Sequence, residues 1–212
     1  MVSSVTNLIP EFNSLRDRAL VCTACDLSQT RNNVVFGSGD SDARVMFVGE
    51  APGRNEDIQG EPFVGAAGKL LDSLLAEIGI DRTDVYIANV LKCRPPGNRD
   101  PRPAEIDSCK GYLREQIRLI SPEVVVTLGN FATKLLLRTE TGITRMRGQS
   151  YDWWLGASLV PTFHPAAALR GGERVKDQMR EDFAIMRAVL DSPSEASESE
   201  APTDEIQMGL FN

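Results

Sequence analysis

Four short apolar runs alternate along the chain with stretches whose apolar residues recur every three or four positions. The runs are 44–49 (RVMFVG), 84–91 (DVYIANVL), 123–128 (EVVVTL) and Ser158–Thr162 (SLVPT). Each is short and apolar, so each is predicted as a buried strand. Helical spacing marks 67–78, which stops at Gly79. It also marks Pro103–Ile120, which opens on Pro and ends at Ser121-Pro122. Asn130–Leu137, after Gly129, and 173–190 complete the helices. Strands separated by helices predict an α/β fold, a parallel sheet with helices on both faces. Ligands in such sheets bind beyond the carboxyl ends of the strands. Glu50 follows the first run, Asn89 ends the second and His164 follows the fourth.

Composition changes this picture only at the C-terminus. The 212 residues are 42 % hydrophobic and 25 % charged, ordinary values for a globular chain. Residues 191–205 are dominated by Ser, Glu, Pro and Ala, too polar to offset their ordering entropy, and are expected to be disordered. The expected organisation is one domain over 1–190 and an acidic tail over 191–212. A net charge of −7 argues against a nucleic-acid partner until it is divided. The tail holds six acidic residues and no Lys or Arg, which leaves the rest of the chain at −1. A nearly neutral body can carry a basic face. No apolar run approaches the length of a membrane span, and the N-terminus lacks a basic region followed by an apolar stretch. The expected compartment is the cytoplasm.

The candidate chemistry sits in a few places. Cys22, Cys25, Cys93 and Cys109 are spaced C-x2-C and C-x15-C. In a cytoplasmic protein such a set suits a metal site better than disulfides. Spacing alone leaves tetrahedral zinc and an iron–sulfur cluster open, in either case with a structural role. After the first strand, Gly49-Glu50-Ala51-Pro52-Gly53 permits a tight turn whose amides face a ligand. No Gly-Lys-Ser/Thr follows, so it is not a P-loop. Phe63 stands between Pro and Gly residues in a loop, where it either fills a hole or stacks on a planar ligand. His164 is the single histidine, and no Ser or second His partners it in a nucleophilic triad. Acting alone, it stabilises developing charge. Asn89 offers a donor and an acceptor, which matches a lactam edge such as O4 and N3–H of uracil; a strand-end Asn bonded to backbone is the plain alternative.

Together, GEAPG-x3-D-x2-G-x-PFVG, NVLKCRPPGNRDP, TFHPAAALR and four cysteines resemble the family-four, iron–sulfur uracil-DNA glycosylases over roughly residues 20–190. The resemblance implies a three-layer α/β/α sandwich around a four-stranded parallel sheet. It implies that the four cysteines ligate a [4Fe–4S] cluster. It implies a monomer that flips uracil out of DNA and hydrolyses its glycosidic bond. Phe63 would stack on the base, Asn89 would read its N3–H and O4 edge, and His164 would donate to O2. The Gly49–Ala51 turn would approach the same oxygen. Better-known uracil glycosylases carry an Asp where this chain has Ala51, so Glu50 is the candidate for orienting water.

Basic residues over 92–118 and 170–180 flank this pocket and suit phosphates. Arg94, Arg99 and Arg170 are candidate DNA contacts. In the resemblance, a loop over 166–170 enters the minor groove with Leu169 as its wedge. Gln207, Leu210 and Phe211 resemble the short peptide by which bacterial proteins dock on the DNA polymerase sliding clamp. Two rivals stand beside an enzyme. One is a non-catalytic or covalent uracil-DNA binding protein, disfavoured because Pro96-Gly-Asn-Arg-Asp100 carries no insert and no second His. The other is a zinc-stabilised protein acting on free nucleotides, disfavoured by the basic flanks.

Overall fold

The computed structural model describes residues 8–192. The acidic tail from residue 193 and the clamp-like peptide at Gln207, Leu210 and Phe211 lie outside the described residues.

Four strands form the centre of the sheet: β2 (Val45–Gly49), β3 (Val85–Asn89), β4 (Val124–Leu128) and β6 (Ser158–Thr162). They run parallel, in the order β3-β2-β4-β6. The expected four-stranded parallel sheet is thus present, extended to six strands among the described residues. Two-residue strands, β1 (Ser38–Gly39) and β5 (Tyr151–Asp152), add antiparallel edges beside β3 and β6. Strands this short leave no alternation to read in a sequence.

Successive residues of β2 serve opposite faces. Val45 and Phe47 pack with Leu71, Leu75 and Phe183, while Met46 and Val48 pack with Leu113, Ile117 and Leu136. Both faces are therefore covered, and all of β2, β3 and β4 is buried. On one side lie α3 (Ala66–Glu77), α7 (Pro165–Gly171) and α8 (Glu173–Asp191). On the other lie α4 (Pro103–Ile120) and α5 (Asn130–Leu137). Against α4 rests α1 (Leu8–Leu20), whose Leu15 and Ala19 join Leu27, Phe36, Cys93 and Cys109 in a third cluster. The short helices α2 (Arg54–Gln59) and α6 (Ile143–Met146) complete the fold. The segment expected as the 166–170 loop is helical, as α7. Among the described residues no helix is long and apolar enough to cross a membrane.

The chain leaves β2 for β3 on one side and then crosses to β4 on the other. Consecutive crossovers diverge there and open a crevice at the carboxyl ends of the strands.

Candidate functional site

The crevice is a cleft that brings together Glu50, Phe63, Asn89 and His164. Gly49, the last residue of β2, lies against two of these residues. A Cβ on Gly49 would come within 2.3 Å of Asn89 Oδ1 and 2.9 Å of Phe63 Cζ. The carboxamide and the ring thus both overhang a position that only glycine leaves free. Beyond the strands, the amides of Val90 and Leu91 donate to the carbonyls of Gly49 and Glu50, at 2.9 and 3.0 Å. The two walls of the pocket are one hydrogen-bonded unit.

Phe63 is buried and has φ 53°. A left-handed aromatic residue is a conformational outlier costing about 1–3 kcal/mol. Two contacts hold it there. Glu56 Oε1 accepts from the amide of Val64 at 3.2 Å, and Gly68 of α3 lets the helix approach the Phe63 carbonyl so closely that a Cβ would lie 1.6 Å away. The ring faces the imidazole of His164, with centroids 5.5 Å apart and planes tilted by 30°.

His164 caps α7. Its Nδ1 accepts from the amide of Ala166 at 3.1 Å, so the proton of the neutral ring is on Nε2. Burial, helped by the positive charge of Arg170 and opposed by Glu56, pushes its pKa down to about 4. The ring is therefore a neutral donor near pH 7. Glu50 is half-buried; burial, and then Asp100, hold its carboxyl above the usual range. Ala51 lines the same cleft beside it.

The candidate DNA contacts differ in availability. Arg170 lines the cleft and Leu169 is exposed on α7. Arg94 donates to Asn98 Oδ1 at 2.6 Å, and Arg99 donates to Glu105 Oε2 at 2.9 Å. Within the two basic stretches, Arg180 is held by Glu77, Glu173 and Asp177. Lys92 does not belong to a basic face at all: it is 2 % exposed, because a strand end and α4 enclose it. Burial lowers its pKa to about 8, while Cys109 and Cys93 raise it.

Sequence reasoning passed over the residues that hold the loops. Asp57 is buried and accepts from the amide of Asn32 at 2.9 Å. Asp182 is buried in α8 and accepts from Thr162 Oγ1 at 2.7 Å, from Gly148 N at 3.0 Å and from Arg147 Nε at 3.0 Å. Thr162 is two residues before His164, so Asp182 anchors the strand end that presents the imidazole. A carboxylate inside the 3.6-residue apolar repeat of α8 was the available signal.

All four cysteines are free thiols and line one small cavity with Arg31, Lys92 and Tyr112. Arg31 Nη1 and the amide of Lys92 donate to the sulfurs of Cys93 and Cys109, each at 3.3 Å. Burial pushes the Cys109 thiol up to about 11, with Lys92 opposing, and raises Cys93 as well. Among the described residues no three acidic, His or Cys side chains draw close enough to grip a single ion.

A parallel-centred α/β sheet with a polar pocket at its switch point is the architecture of a ligand-binding α/β protein. The profile of the uracil DNA glycosylase superfamily matches residues 36–186. The chain belongs to this superfamily. It is similar to the type-4 uracil-DNA glycosylase of Archaeoglobus fulgidus, with 48 % identity over 76 % of this chain and 82 % of that protein. The type-4 enzyme of Thermotoga maritima is 50 % identical over 73 % of this chain and 81 % of its own length. That of Sulfurisphaera tokodaii is 45 % identical over 86 % of each.

Proposed function

We infer that this protein is a uracil-DNA glycosylase, a repair enzyme that removes uracil from DNA by hydrolysing its N-glycosidic bond. The observation that carries this reading is the convergence of Phe63, Asn89 and His164 on one cleft above Gly49, in a chain of that superfamily.

The reaction adds water across the C1′–N1 bond. As that bond breaks, its electron pair goes to the uracil ring and the sugar becomes an oxocarbenium ion. The base must first leave the stack, at a cost of a few kcal/mol. Stacking on Phe63 offsets part of this, at about 1–3 kcal/mol per base. The Asn89 carboxamide accepts from N3–H and donates to O4. Cytosine presents the opposite pattern and leaves both groups unpaired, which is a strong basis for rejection. The Nε2–H of His164 donates to O2, where the leaving group's negative charge collects. A neutral imidazole supports this because it gains a hydrogen bond without giving up its proton. Gly49 and Ala51 bring backbone to the same oxygen. Glu50, as a carboxylate, orients the water and faces the cationic sugar. Arg94, Arg99 and Arg170 contact phosphates or the groove, and Leu169 fills the space the base leaves.

Cys22, Cys25, Cys93 and Cys109 hold a [4Fe–4S] cluster in this reading, and the cluster's contribution is structural. Two features support the fit: four thiols line one cavity, and two of them accept N–H donors. A reducing, cytoplasmic setting suits such a site. The protein acts as a monomer, and Gln207, Leu210 and Phe211 dock on a sliding clamp. Wild-type and Leu210→Ala/Phe211→Ala proteins that bind clamp equally would dispose of that docking.

The central test is cleavage of an oligonucleotide carrying one uracil, with alkali revealing the abasic product. Wild type is expected to cleave, and Asn89→Ala and His164→Ala to lose about a hundredfold or more in rate. A protein–DNA adduct that survives denaturation would instead identify a covalent binder. Neither product nor adduct would overturn the reading.

A further inference from the structure

The ammonium of Lys92 is a buried charge that no step above uses. Its Nζ donates to the carbonyl of Asn89 at 2.8 Å and to Gln116 Oε1 at 2.6 Å. Gln116, fully buried in α4, passes the restraint on by donating to the carbonyl of Phe36 at 2.9 Å and to Tyr86 Oη at 3.1 Å. The backbone amide of Lys92 donates to Cys109 Sγ, and the next residue is Cys93. None of these partners is a carboxylate. Lys92, Cys93 and Cys109 line the same small cavity.

An unpaired buried ammonium costs several kcal/mol, and a Met of similar length would fill the same volume without that cost. Its position must be accounted for by what it joins. One side is the backbone of Asn89, where a displacement of about 1 Å is enough to lose a hundredfold in rate. The other side is the pair of sulfurs that become thiolates when the cavity is loaded.

We propose that Lys92 is a positioning residue: its ammonium clamps the Asn89 carbonyl to Gln116 while its backbone amide holds Cys109, so that the loaded cysteine cavity sets the uracil-reading edge. This rests on the reading of the pocket and the cluster given above. It makes the cluster's structural role specific, because one side chain carries the restraint from the cysteines to the carboxamide.

The test uses iron-loaded wild type, Lys92→Met and Gln116→Leu. Three quantities are measured: the single-turnover rate of uracil excision, the affinity for abasic-site DNA, which lacks the base, and the rate at which a chelator removes iron. Lys92→Met is expected to excise at least tenfold more slowly, bind abasic DNA within twofold of wild type and release iron several-fold faster. Gln116→Leu is expected to slow excision and leave iron release near wild type. In an Asn89→Ala background, adding Lys92→Met should cost less than threefold more, because the clamp acts through Asn89. Wild-type excision by Lys92→Met overturns the proposal. Parallel losses of excision and abasic-DNA affinity, or full additivity with Asn89→Ala, overturn it too. Should Lys92→Met fail to fold, undiminished excision by Gln116→Leu is decisive against the clamp. Wild type that excises no uracil would defeat the functional reading itself, a result separate from all of these.

Discussion

His164 keeps its proton on Nε2 because Nδ1 is occupied by the amide of Ala166, and burial keeps the ring neutral. A folded-state pKa near 4, below the ordinary 6.5, means the unfolded chain binds the proton more readily. The stabilising contribution is then complete above pH 6.5 and is lost as the pH falls toward 4. Between pH 6.5 and pH 5 wild type should lose about 1.6 kcal/mol of unfolding free energy relative to His164→Gln, whose side chain does not titrate. Denaturant titrations at the two pH values check this; equal losses in the two proteins would refute the neutral ring. Glu50 titrates in the opposite sense. Its carboxyl is held above the usual range and the role proposed for it needs the anion, so the excision rate should fall as the pH drops through that raised value. Glu50→Gln should abolish this acidic limb and slow excision at least tenfold at pH 7. A retained limb would assign it to another group.

Phe63 shows how elements fix a residue that local preference disfavours. Its left-handed backbone is set by the close passage of α3, possible because position 68 is Gly, and by the Glu56 carboxylate on the Val64 amide. Gly68→Ala places a Cβ 1.6 Å from the Phe63 carbonyl, so the loop must move. We expect excision to fall by more than a hundredfold, with a clear drop in melting temperature. Normal activity in this variant would show that the Phe63 loop needs no such precision. Helix α7 presents Leu169 to solvent at 45 % exposure. Leu169→Ala should alter stability by no more than about 0.5 kcal/mol. It should slow excision from duplex DNA several-fold more than from single-stranded DNA, since only the duplex has a stack to fill. Equal effects on the two substrates would remove Leu169 from the wedge role.

The cysteine cavity joins distant parts of the whole molecule: α1 and the segment after it, the end of β3 and the middle of α4. The parallel sheet has its own two-sided core, which does not include these residues. Removing iron should therefore raise amide exchange chiefly over residues 8–36 and 90–109, and leave β2 and β4 protected. Uniform deprotection of the chain would show that the cavity supports the entire fold.

Much of this was legible along the chain. The four central strands are buried on both faces, so they read as continuous apolar runs, and Glu50, Asn89 and His164 stand at their ends. The helical repeats of α3, α4, α5 and α8 showed as plainly, because each has one face on the sheet. The edge strands β1 and β5 did not, since two residues carry no period. Charge was the least legible property. Lys92, Arg99 and Arg180 look alike as letters, yet one is enclosed and two are held by acids, Glu105 for Arg99 and, for Arg180, Glu77 from a distant helix among others. Local order thus follows from the chain's own periodicity, because burial of a strand or a helix face needs only a pattern of neighbours. Which charge is buried, which aromatic is strained and which thiols share a cavity depend on segments far apart in sequence, and are settled when the sheet closes against its helices.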